Sequence, residues 1–479
     1  MPGTICLRLI KKSYSSMQME VEQKFRYAVV AAVQLPSVSD MEFEASLTEL
    51  RELAKTLGFK VIHTFIQKRN SFDTTGYLGV GKRQEIRSFV HGEPAFDEAG
   101  EPLPFTADAT LPEIDAILVD HEISPSQARN LEIEAGCMVM DRTMVILEIF
   151  HNNARSRAAK AQVEIARLGY MAPRLREAAK LAGSQGRQRS GVGGRGAGES
   201  HTELDKRKIR DRIAELQLEI LAMEAERKTQ RARRQERQSI AAVALVGYTN
   251  AGKSTLMRAL TGSEVLVANK LFATLDTTVR ALYPESVPRV LVSDTVGFIK
   301  NLPHGLVASF KSTLDEALDA SLLLHVIDAS DPGFERQLEV TDKVLEEIGA
   351  DVVPRIRIFN KIDHVGDDVA QAECEAALRA KYPDCVVMSA RRPDEVARLR
   401  QTIVTFFQRE HVEAELFLPW SAQQLRKEIF ANCEVLKERA DGEGAFFLVR
   451  GERDAVAGLR ERFALEGLSG VHGTTVDAD

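Results

Sequence analysis

The sequence has few of the features that mark a secreted or membrane-bound protein. Only five of its 479 residues are cysteine, and they are scattered without a C-x-x-C pair, so neither a disulfide framework nor a zinc site is expected. The longest apolar runs, such as residues 240–246, are far shorter than the roughly 20 residues that cross a bilayer. Residues 1–12 contain too short an apolar run for a signal peptide. We therefore expect free thiols and a cytoplasmic location.

Aromatic side chains are also scarce, at 6% of the chain with a single tryptophan. The share of hydrophobic residues, 44%, and that of charged residues, 28%, are nevertheless ordinary for globular protein, and they exclude global disorder. A chain of this length exceeds what one hydrophobic core usually serves, so several domains are expected.

Negative charge exceeds positive charge overall, but one segment is strongly basic. The formal net charge is −7, yet residues 151–240 hold 21 Lys and Arg against 11 Asp and Glu. Such asymmetry is typical of contact with nucleic acid, because Lys and Arg neutralise phosphates. A solvated pair of charged helices is the alternative.

Hydrophobic periodicity predicts an α/β multidomain protein. In the first part, four β-rich runs alternate with helical patterns, and the third helix is marked by a capping box at Ser124 and Gln127 and by a stop at Gly136. The expected parts are an N-terminal extension at residues 1–24, a parallel α/β domain at 25–150, a helical hairpin at 151–238, a second α/β domain at 239–410 and a small C-terminal α+β domain at 411–479.

The predicted hairpin consists of two long antiparallel helices, at residues 151–181 and 201–238, in which apolar residues recur at helical spacing. Between them lies a Gly-rich tip loop, residues 183–200, with three arginines and no acidic residue before Glu199: Arg187, Arg189 and Arg195. We interpret this loop as a segment that docks onto RNA, and a passive linker is the alternative.

The remaining segments carry weaker signals. In the last domain GAFFLVR, at residues 444–450, predicts a strand, and residues 421–439 predict a helix. The segment GYLGVGK, at residues 76–82, lacks the full spacing of a phosphate loop. We interpret it as a turn before a helix rather than as a second nucleotide site.

The strongest chemical signal is GYTNAGKS, which follows an apolar strand and opens a helix with the G-x-x-x-x-G-K-S spacing of a phosphate-binding loop. Gly247 and Gly252 let successive backbone N–H groups face the phosphates. Lys253 supplies a cation to the β- and γ-phosphates, and the Ser254 hydroxyl can ligate Mg²⁺.

Two further motifs follow in the order that a guanine-nucleotide site requires. DTVG comes directly after a strand, so Asp294 can bind Mg²⁺ through water and the Gly297 N–H can sense a γ-phosphate. NKID ends another strand, and the Asp363 carboxylate can accept from the two N–H donors that guanine has and adenine lacks. VVMSA then leads to Ser389 and Ala390 for a backbone contact to the guanine O6. Together the motifs predict a GTP-binding domain.

With these motifs, the sequence resembles the HflX family of ribosome-associated P-loop GTPases. Beyond the phosphate loop, the resemblance rests on LFATLD, DTVGFIKNLPH, SPSQARNLE, DRTMVILEIF and QVEIARLGYMAPRL, and on a GAGE loop followed by E-x-D-x-R. It covers most of the chain, and several of these segments are peculiar to the family. Residues 239–410 are accordingly expected to be the G domain.

The resemblance implies that five short segments contact GTP: Gly247, Tyr248, Thr249, Asn250, Ala251, Gly252, Lys253 and Ser254; Phe272, Ala273, Thr274, Leu275 and Asp276; Asp294, Thr295, Val296 and Gly297; Asn360, Lys361, Ile362 and Asp363; Ser389, Ala390 and Arg391. Catalysis is assigned to Lys253, Asp294, Gly297 and Asn250, and Mg²⁺ to Ser254 and Thr274. The chain departs from the family pattern in reading FATLDTTVR, which leaves the switch threonine open among Thr274, Thr277 and Thr278. In the tip loop Ala197 replaces a proline.

Two residues bear on hydrolysis. Where Ras-like enzymes have a glutamine that orients the attacking water, this chain has Phe298, whose ring can neither donate nor accept the necessary hydrogen bond. We expect slow hydrolysis without a partner; a hydrophobic anchor that packs the switch is a second interpretation of Phe298. Asn250 lies in a pattern that resembles that of potassium-stimulated GTPases, which gives the hypothesis that K⁺ is a second cofactor.

The resemblance also implies a partner and a role. The GTP form is expected to bind the large ribosomal subunit, to reach with the hairpin towards the rRNA near the peptidyl transferase centre, and to split or rescue stalled or idle ribosomes, notably after stress. The ribosome is expected to stimulate hydrolysis, and the protein is expected to be monomeric. The alternative is a regulatory switch that binds a protein partner or an anionic membrane through the same helices. An accessory GTPase for RNA modification is a third reading, for which the sequence offers no metal-ligand cluster or nucleophile.

Overall fold

The computed structural model describes residues 26–93, 112–185, 201–237, 241–262, 271–272, 274–275, 277–300, 316–409 and 411–465. Several predicted features lie outside these residues: the N-terminal extension, Ala273, Asp276 and, in the tip loop, Arg187, Arg189, Arg195 and Ala197. The chain divides into two compact units, Met1–Ile123 with Asn130–Asp141, and Ser124–Arg129 with Arg142–Asp479. The five-part division made from the sequence stays a prediction. None of the helices within the described ranges is long and apolar enough to span a bilayer.

The first unit contains the predicted four-stranded parallel sheet, in the order β2-β1-β3-β4. Seven consecutive residues at the end of β1 are buried, as expected for a strand that is covered on both faces. The strands and their crossover helices are β1 Arg26–Gln34, α1 Asp40–Thr56, β2 Phe59–Lys68, α2 Val80–His91, β3 Ala116–Val119, α3 Pro125–Ala135 and β4 Met138–Asp141.

Local sequence signals set the helix ends here. The predicted capping box is present, since the Ser124 N–H donates to Gln127 Oε1 at 2.9 Å and the Gln127 N–H donates to Ser124 Oγ at 3.2 Å. Gly136 follows α3 with a φ of +73°, a conformation that favours glycine. GYLGVGK is the predicted turn before α2, and its Tyr77 is buried with the hydroxyl accepting from the Val33 N–H at 3.0 Å.

The second unit includes Ser124–Arg129, which contain the first part of α3, and continues after β4 with three helices: α4 Arg142–Asn153, α5 Arg157–Gln185 and α6 His201–Arg237. The helices α5 and α6 form the predicted hairpin, and two ion pairs show that they run antiparallel, Arg157–Glu219 at 3.9 Å and Arg212–Glu164 at 3.1 Å. The hairpin starts six residues later than predicted. Between α4 and α5 the chain leaves the helical conformation, and Ser156 caps the start of α5, because its Oγ accepts from the Ala159 N–H at 3.1 Å.

A six-stranded sheet follows, in the order β10-β9-β8-β5-β7-β6, with only β6 antiparallel to its neighbour. The helices α7 and α10 pack against it through buried leucines and isoleucines. The carboxyl ends of its parallel strands meet at one edge, the usual place for a ligand in such folds. The elements are β5 Ala241–Val246, α7 Lys253–Thr261, β6 Thr278–Ala281, β7 Val290–Asp294, β8 Leu322–Asp328, α8 Phe334–Glu347, β9 Arg355–Asn360, α9 Asp368–Lys381, β10 Val386–Val387 and α10 Pro393–Gln408.

The last part of the chain is a three-stranded antiparallel sheet, in the order β11-β13-β12. The strand predicted at residues 444–450 is confirmed, but the helix predicted at 421–439 is wrong in its second half. EVLKERA contains good helix formers, yet it pairs with β13 and is a strand, because tertiary pairing outweighs local propensity. The elements are β11 His411–Pro419, a 3₁₀ helix Trp420–Leu425, α11 Arg426–Asn432, β12 Glu434–Ala440, β13 Gly444–Glu452 and α12 Arg453–Leu465.

Candidate nucleotide-binding site

The phosphate loop connects β5 to α7. Three of its residues have positive φ, Gly247 at +145°, Asn250 at +61° and Gly252 at +99°, so the backbone curls at the opening of the helix. Lys253 is buried beneath the loop, and its Nζ donates to the carbonyl oxygens of Gly247 at 3.0 Å and Tyr248 at 2.8 Å. Burial lowers the pKa of Lys253 to about 8, while the Asp294 carboxylate acts in the opposite direction. The loop thus surrounds a cation that lacks solvent to stabilise its charge.

Three oxygen-bearing side chains meet beside this lysine. Ser254 Oγ and Thr274 Oγ1 both donate to Asp294 Oδ2, at 2.7 and 3.1 Å, and the two hydroxyl oxygens lie 2.9 Å apart. The pKa of Asp294 is raised because burial outweighs the opposite effects of the Lys253 charge and of the hydrogen bonds from the two hydroxyls. Within the described ranges, Asp294 Oδ1 is buried without a hydrogen-bond partner. Oxygen ligands around a buried carboxylate suit Mg²⁺, so this corner fits the ion that the sequence predicts.

The contacts around Asp294 also concern the question which of Thr274, Thr277 and Thr278 is the switch threonine. Thr274 is the one whose hydroxyl contacts Ser254 and Asp294. Thr278 lies in β6 and Thr277 directly before it. No group of three or more His, Cys, Asp and Glu in the part of the chain that the structure describes could hold a metal.

Phe298 ties the segment after β7 to the phosphate loop. Its side chain is buried, its N–H donates to the Gly247 carbonyl at 3.1 Å, and its carbonyl accepts from the Thr249 N–H at 2.7 Å. Gly297, directly before it, is packed so closely that a Cβ there would lie 2.9 Å from Thr249 Cα and 3.0 Å from Lys253 Nζ. The structure thus favours the interpretation of Phe298 as an apolar anchor, and glycine is required beside it.

The NKID segment holds the other end of the site together. Asn360 is buried, its Nδ2 donates to the Ala251 carbonyl at 2.9 Å, and its Oδ1 accepts from the Ala390 N–H at 2.9 Å. Lys361 has a positive φ of +62°, and its Nζ forms an ion pair with Asp328 at 2.7 Å. One asparagine therefore links the phosphate loop to the segment that follows β10.

The Asp363 carboxylate, predicted to bind guanine, lies at the cavity wall. Burial acts to raise its pKa, but hydrogen bonding from Ser389 and from its own backbone, with the nearby charges of His364 and Arg391, leaves that pKa lowered. The Ser389 N–H already donates to Glu395 at 2.6 Å, and the Ala390 N–H to Asn360. A contact from these amides to guanine O6 is thus not preformed.

The predicted segments surround one cavity of about 310 Å³. Most of the predicted residues that the structure describes line it: Thr249, Asn250, Gly252, Lys253, Ser254, Phe272, Thr274, Thr295, Gly297, Asn360, Lys361, Asp363, Ser389, Ala390 and Arg391. The other predicted residues that the structure describes are buried and do not line it: Gly247, Tyr248, Ala251, Leu275, Asp294, Val296 and Ile362. Sequence reasoning missed two lining residues, Thr255 and His364, each of which directly follows a predicted motif.

Comparison with protein families gives three adjoining matches. A model described as "GTP-binding GTPase N-terminal" matches residues 44–151, one described as "GTP-binding GTPase Middle Region" matches residues 153–234, and one described as "50S ribosome-binding GTPase" matches residues 242–361. With the phosphate loop, the NKID segment and the sheet that carries them, these matches define the class: the protein is a P-loop GTPase, an enzyme that hydrolyses GTP.

Individual relatives narrow the assignment. "GTPase HflX" of Gluconacetobacter diazotrophicus is 50% identical over 465 residues, which cover 93% of this chain and 100% of the relative. "GTPase HflX" of Escherichia coli is 35% identical over 88% of this chain and 92% of the relative. The chain belongs to the HflX family of GTPases. A crystal structure of a GTP-binding protein from Sulfolobus solfataricus with GDP also aligns, at 24% identity and a TM-score of 0.41 over 79% of this chain and 100% of that one; that score is too low to add to the assignment.

Proposed function

We propose that this GTPase binds the large ribosomal subunit in its GTP form and splits or rescues stalled or idle ribosomes in the cytoplasm. The observation that carries the proposal is that the nucleotide cavity and the helical hairpin belong to the same compact unit. The family model of residues 242–361, described as a 50S ribosome-binding GTPase, supports the choice of partner. Nucleotide state and ribosome contact would thus be linked within one unit.

In the proposed cycle GTP lies along the cavity. The backbone of residues 247–254 would hold the phosphates, with Lys253 between the β- and γ-phosphates, and the Asp363 carboxylate would accept from the guanine N–H groups. Ser254 and Thr274 would ligate Mg²⁺, with Asp294 behind them through water. The bound ion would neutralise charge on the β- and γ-phosphates.

Hydrolysis in the free protein would be slow. Phe298 occupies the position of a water-orienting glutamine, and its buried ring serves as an anchor. We propose that the ribosome supplies or orders the missing group. Asn250, which lines the cavity with an exposed side chain, would hold a K⁺ ion near the phosphates.

The hairpin would provide the contact with rRNA. Arg207, Lys208 and Arg210 are exposed on α6, and the whole segment of residues 151–240 carries a surplus of positive charge. Exposed arginines and lysines neutralise phosphates without reading sequence. Residues 183–185, predicted as the start of the tip loop, belong to α5, and residues 186–200 lie outside the described residues. The tip loop would reach towards the peptidyl transferase centre, and the protein would act as a monomer.

Co-sedimentation with purified large subunits tests this proposal. We expect the protein to pellet with subunits in a non-hydrolysable GTP analogue, to pellet less in GDP, and to lose binding as salt rises. Changing Arg187, Arg189 and Arg195 together to Gln should weaken binding and flatten its salt dependence.

A control variant separates specific contact from net charge. Changing Arg379, Arg398 and Arg409, three exposed arginines of α9, α10 and the residue after α10, to Gln removes the same charge and should leave binding unchanged. Equal loss in both triple variants, or binding to anionic liposomes without binding to subunits, would favour the regulatory switch at a membrane instead.

A further inference from the structure

The helix α4 contacts the segment around Thr274, although the two are more than 100 residues apart in the chain. Asn153, the last residue of α4, donates from Nδ2 to the Phe272 carbonyl oxygen at 2.8 Å. The Phe150 and Phe272 rings meet edge to face, with centroids 4.6 Å apart and planes at 65°. Both rings are buried, Phe150 fully and Phe272 to all but 3%. The contact therefore combines a directional hydrogen bond with an aromatic pair.

Phe272 needs such support because its backbone is strained. Its φ is +56°, in the left-handed region that bulky residues rarely occupy. Strained conformations persist where surrounding contacts fix them. The Asn153 amide holds the peptide oxygen of Phe272 and the Phe150 ring holds its side chain, so both parts of the strained residue are fixed by α4.

The strained residue lies two positions before Thr274. Thr274 in turn contacts Ser254 and Asp294 at the corner that fits Mg²⁺. The same Phe272 lines the nucleotide cavity. A change at Phe272 would therefore move Thr274 relative to the phosphate loop.

We infer that Asn153 and Phe150 are positioning residues that hold Phe272 in the conformation that places Thr274 at the magnesium corner. This inference rests on the proposed role of Thr274 and Ser254 towards Mg²⁺. Neither Asn153 nor Phe150 lines the cavity, so they act through Phe272 and not by touching the nucleotide. A helix that leads into the basic hairpin thereby takes part in forming the GTPase site.

Amide hydrogen exchange tests the inference without relying on hydrolysis. In the full-length protein, Asn153→Ala should speed exchange in a peptide covering residues 271–277 about tenfold, since a lost anchoring bond raises the population of open conformations. Exchange in β7 should not change. Asn153→Asp keeps the size of the side chain but loses the donor, so it should behave like Asn153→Ala. Asn152→Ala, which changes the exposed neighbour, is the matched control and should leave exchange as in the wild type.

Magnesium titration supplies the second readout. We expect Asn153→Ala, Asn153→Asp and Phe150→Leu to raise the Mg²⁺ concentration that half-saturates the GTP complex about fivefold, measured by fluorescence of a labelled nucleotide, with an unchanged melting temperature for the two Asn153 variants. Wild-type exchange and wild-type Mg²⁺ dependence in both Asn153 variants would overturn the inference. Thr274→Ala separates the two claims: if it leaves Mg²⁺ dependence unaltered, the proposed metal corner fails, whereas an effect of Thr274→Ala without one of Asn153→Ala refutes only the positioning role.

Discussion

The two ends of the cavity are held in different ways. We call the end lined by Asn360, Asp363 and Ala390 the base end, and the end lined by Phe272 and Thr274 the switch end. At the base end, Asn360 bridges Ala251 and Ala390 through backbone groups of loops that leave one sheet. At the switch end, Thr274 is held by side-chain hydroxyl and carboxylate groups, and Phe272 by a helix outside that sheet. The segments predicted to bind the base are thus held by loops of one sheet, whereas the predicted switch depends on contacts that another part of the chain supplies.

The largest expected effect concerns the base end. If Asp363 accepts from the guanine N–H groups, Asp363→Asn replaces that acceptor by an amide, so GTP affinity should fall about 10³-fold because those N–H groups lose their partner, and preference should shift to xanthosine triphosphate. Nucleotide titration of both triphosphates measures this. Asp384→Asn, at an exposed position beyond α9, is the control. Unchanged GTP affinity in Asp363→Asn would remove this carboxylate from the site.

Low pH should also reduce the unfolding free energy of the domain that contains the cavity, through a buried histidine in its sheet. His325 is buried in β8 with its Nδ1 3.7 Å from Asp342, and burial, with Arg355, Arg357 and Lys253 nearby, lowers its pKa to about 3. The unfolded chain takes up a proton near pH 6.5 and the folded chain does not, so stability is lost as pH falls below 6.5. This residue should cost roughly 3 kcal/mol of unfolding free energy between pH 7 and pH 4.

Urea unfolding of the wild type and of His325→Gln from pH 7 to pH 4 measures this effect. The variant lacks the titrating ring, so its unfolding free energy should change less with pH by that amount. Parallel pH profiles for the two proteins would show that His325 is not the group responsible.

A smaller effect is expected where the switch meets the phosphate loop. Gly297→Ala places a methyl group against Thr249 and Lys253, which should move the N–H predicted to sense the γ-phosphate and slow GTP hydrolysis roughly 100-fold, as for the loss of one transition-state donor. GDP affinity should change far less, since GDP has no γ-phosphate. Gly442→Ala, where a Cβ meets open space, is the matched control. Equal loss of GDP and GTP binding would mean that the glycine serves only packing.

The smallest effect concerns the monovalent cation. If Asn250 helps to hold K⁺, hydrolysis should be about tenfold faster in K⁺ than in Na⁺ at equal ionic strength, a minor part of what an arginine finger supplies. Asn250→Ala should abolish that difference. Equal wild-type rates in the two salts would dispose of the K⁺ hypothesis.

The sequence predicts the base end of the cavity better than the switch end. The base end was predictable because short motifs at strand ends fix it: Asn360 and Asp363 follow β9 directly, and Lys253 opens α7. Such motifs depend on neighbours in sequence and on the sheet that brings strand ends together.

The switch end was less predictable because its contacts join distant residues. Nothing in the spacing of Asn153 and Phe272 shows that they meet, and the sequence alone does not show that, of the three candidate threonines, Thr274 lies next to Asp294. In the same way, Glu434–Ala440 has the composition of a helix, and only its pairing with Gly444–Glu452 makes it a strand.

The most direct test of the functional account is ribosome splitting by a protein that lacks residues 183–200. Large subunits should raise the GTPase rate of the intact protein well above its own rate. The deletion should leave hydrolysis by the free protein nearly unchanged, because none of the nucleotide-binding motifs lies in these residues, and should greatly reduce subunit splitting, because the proposed distal contact with rRNA is lost. A deleted protein that splits ribosomes as fast as the intact one would contradict the account and make the tip loop a linker.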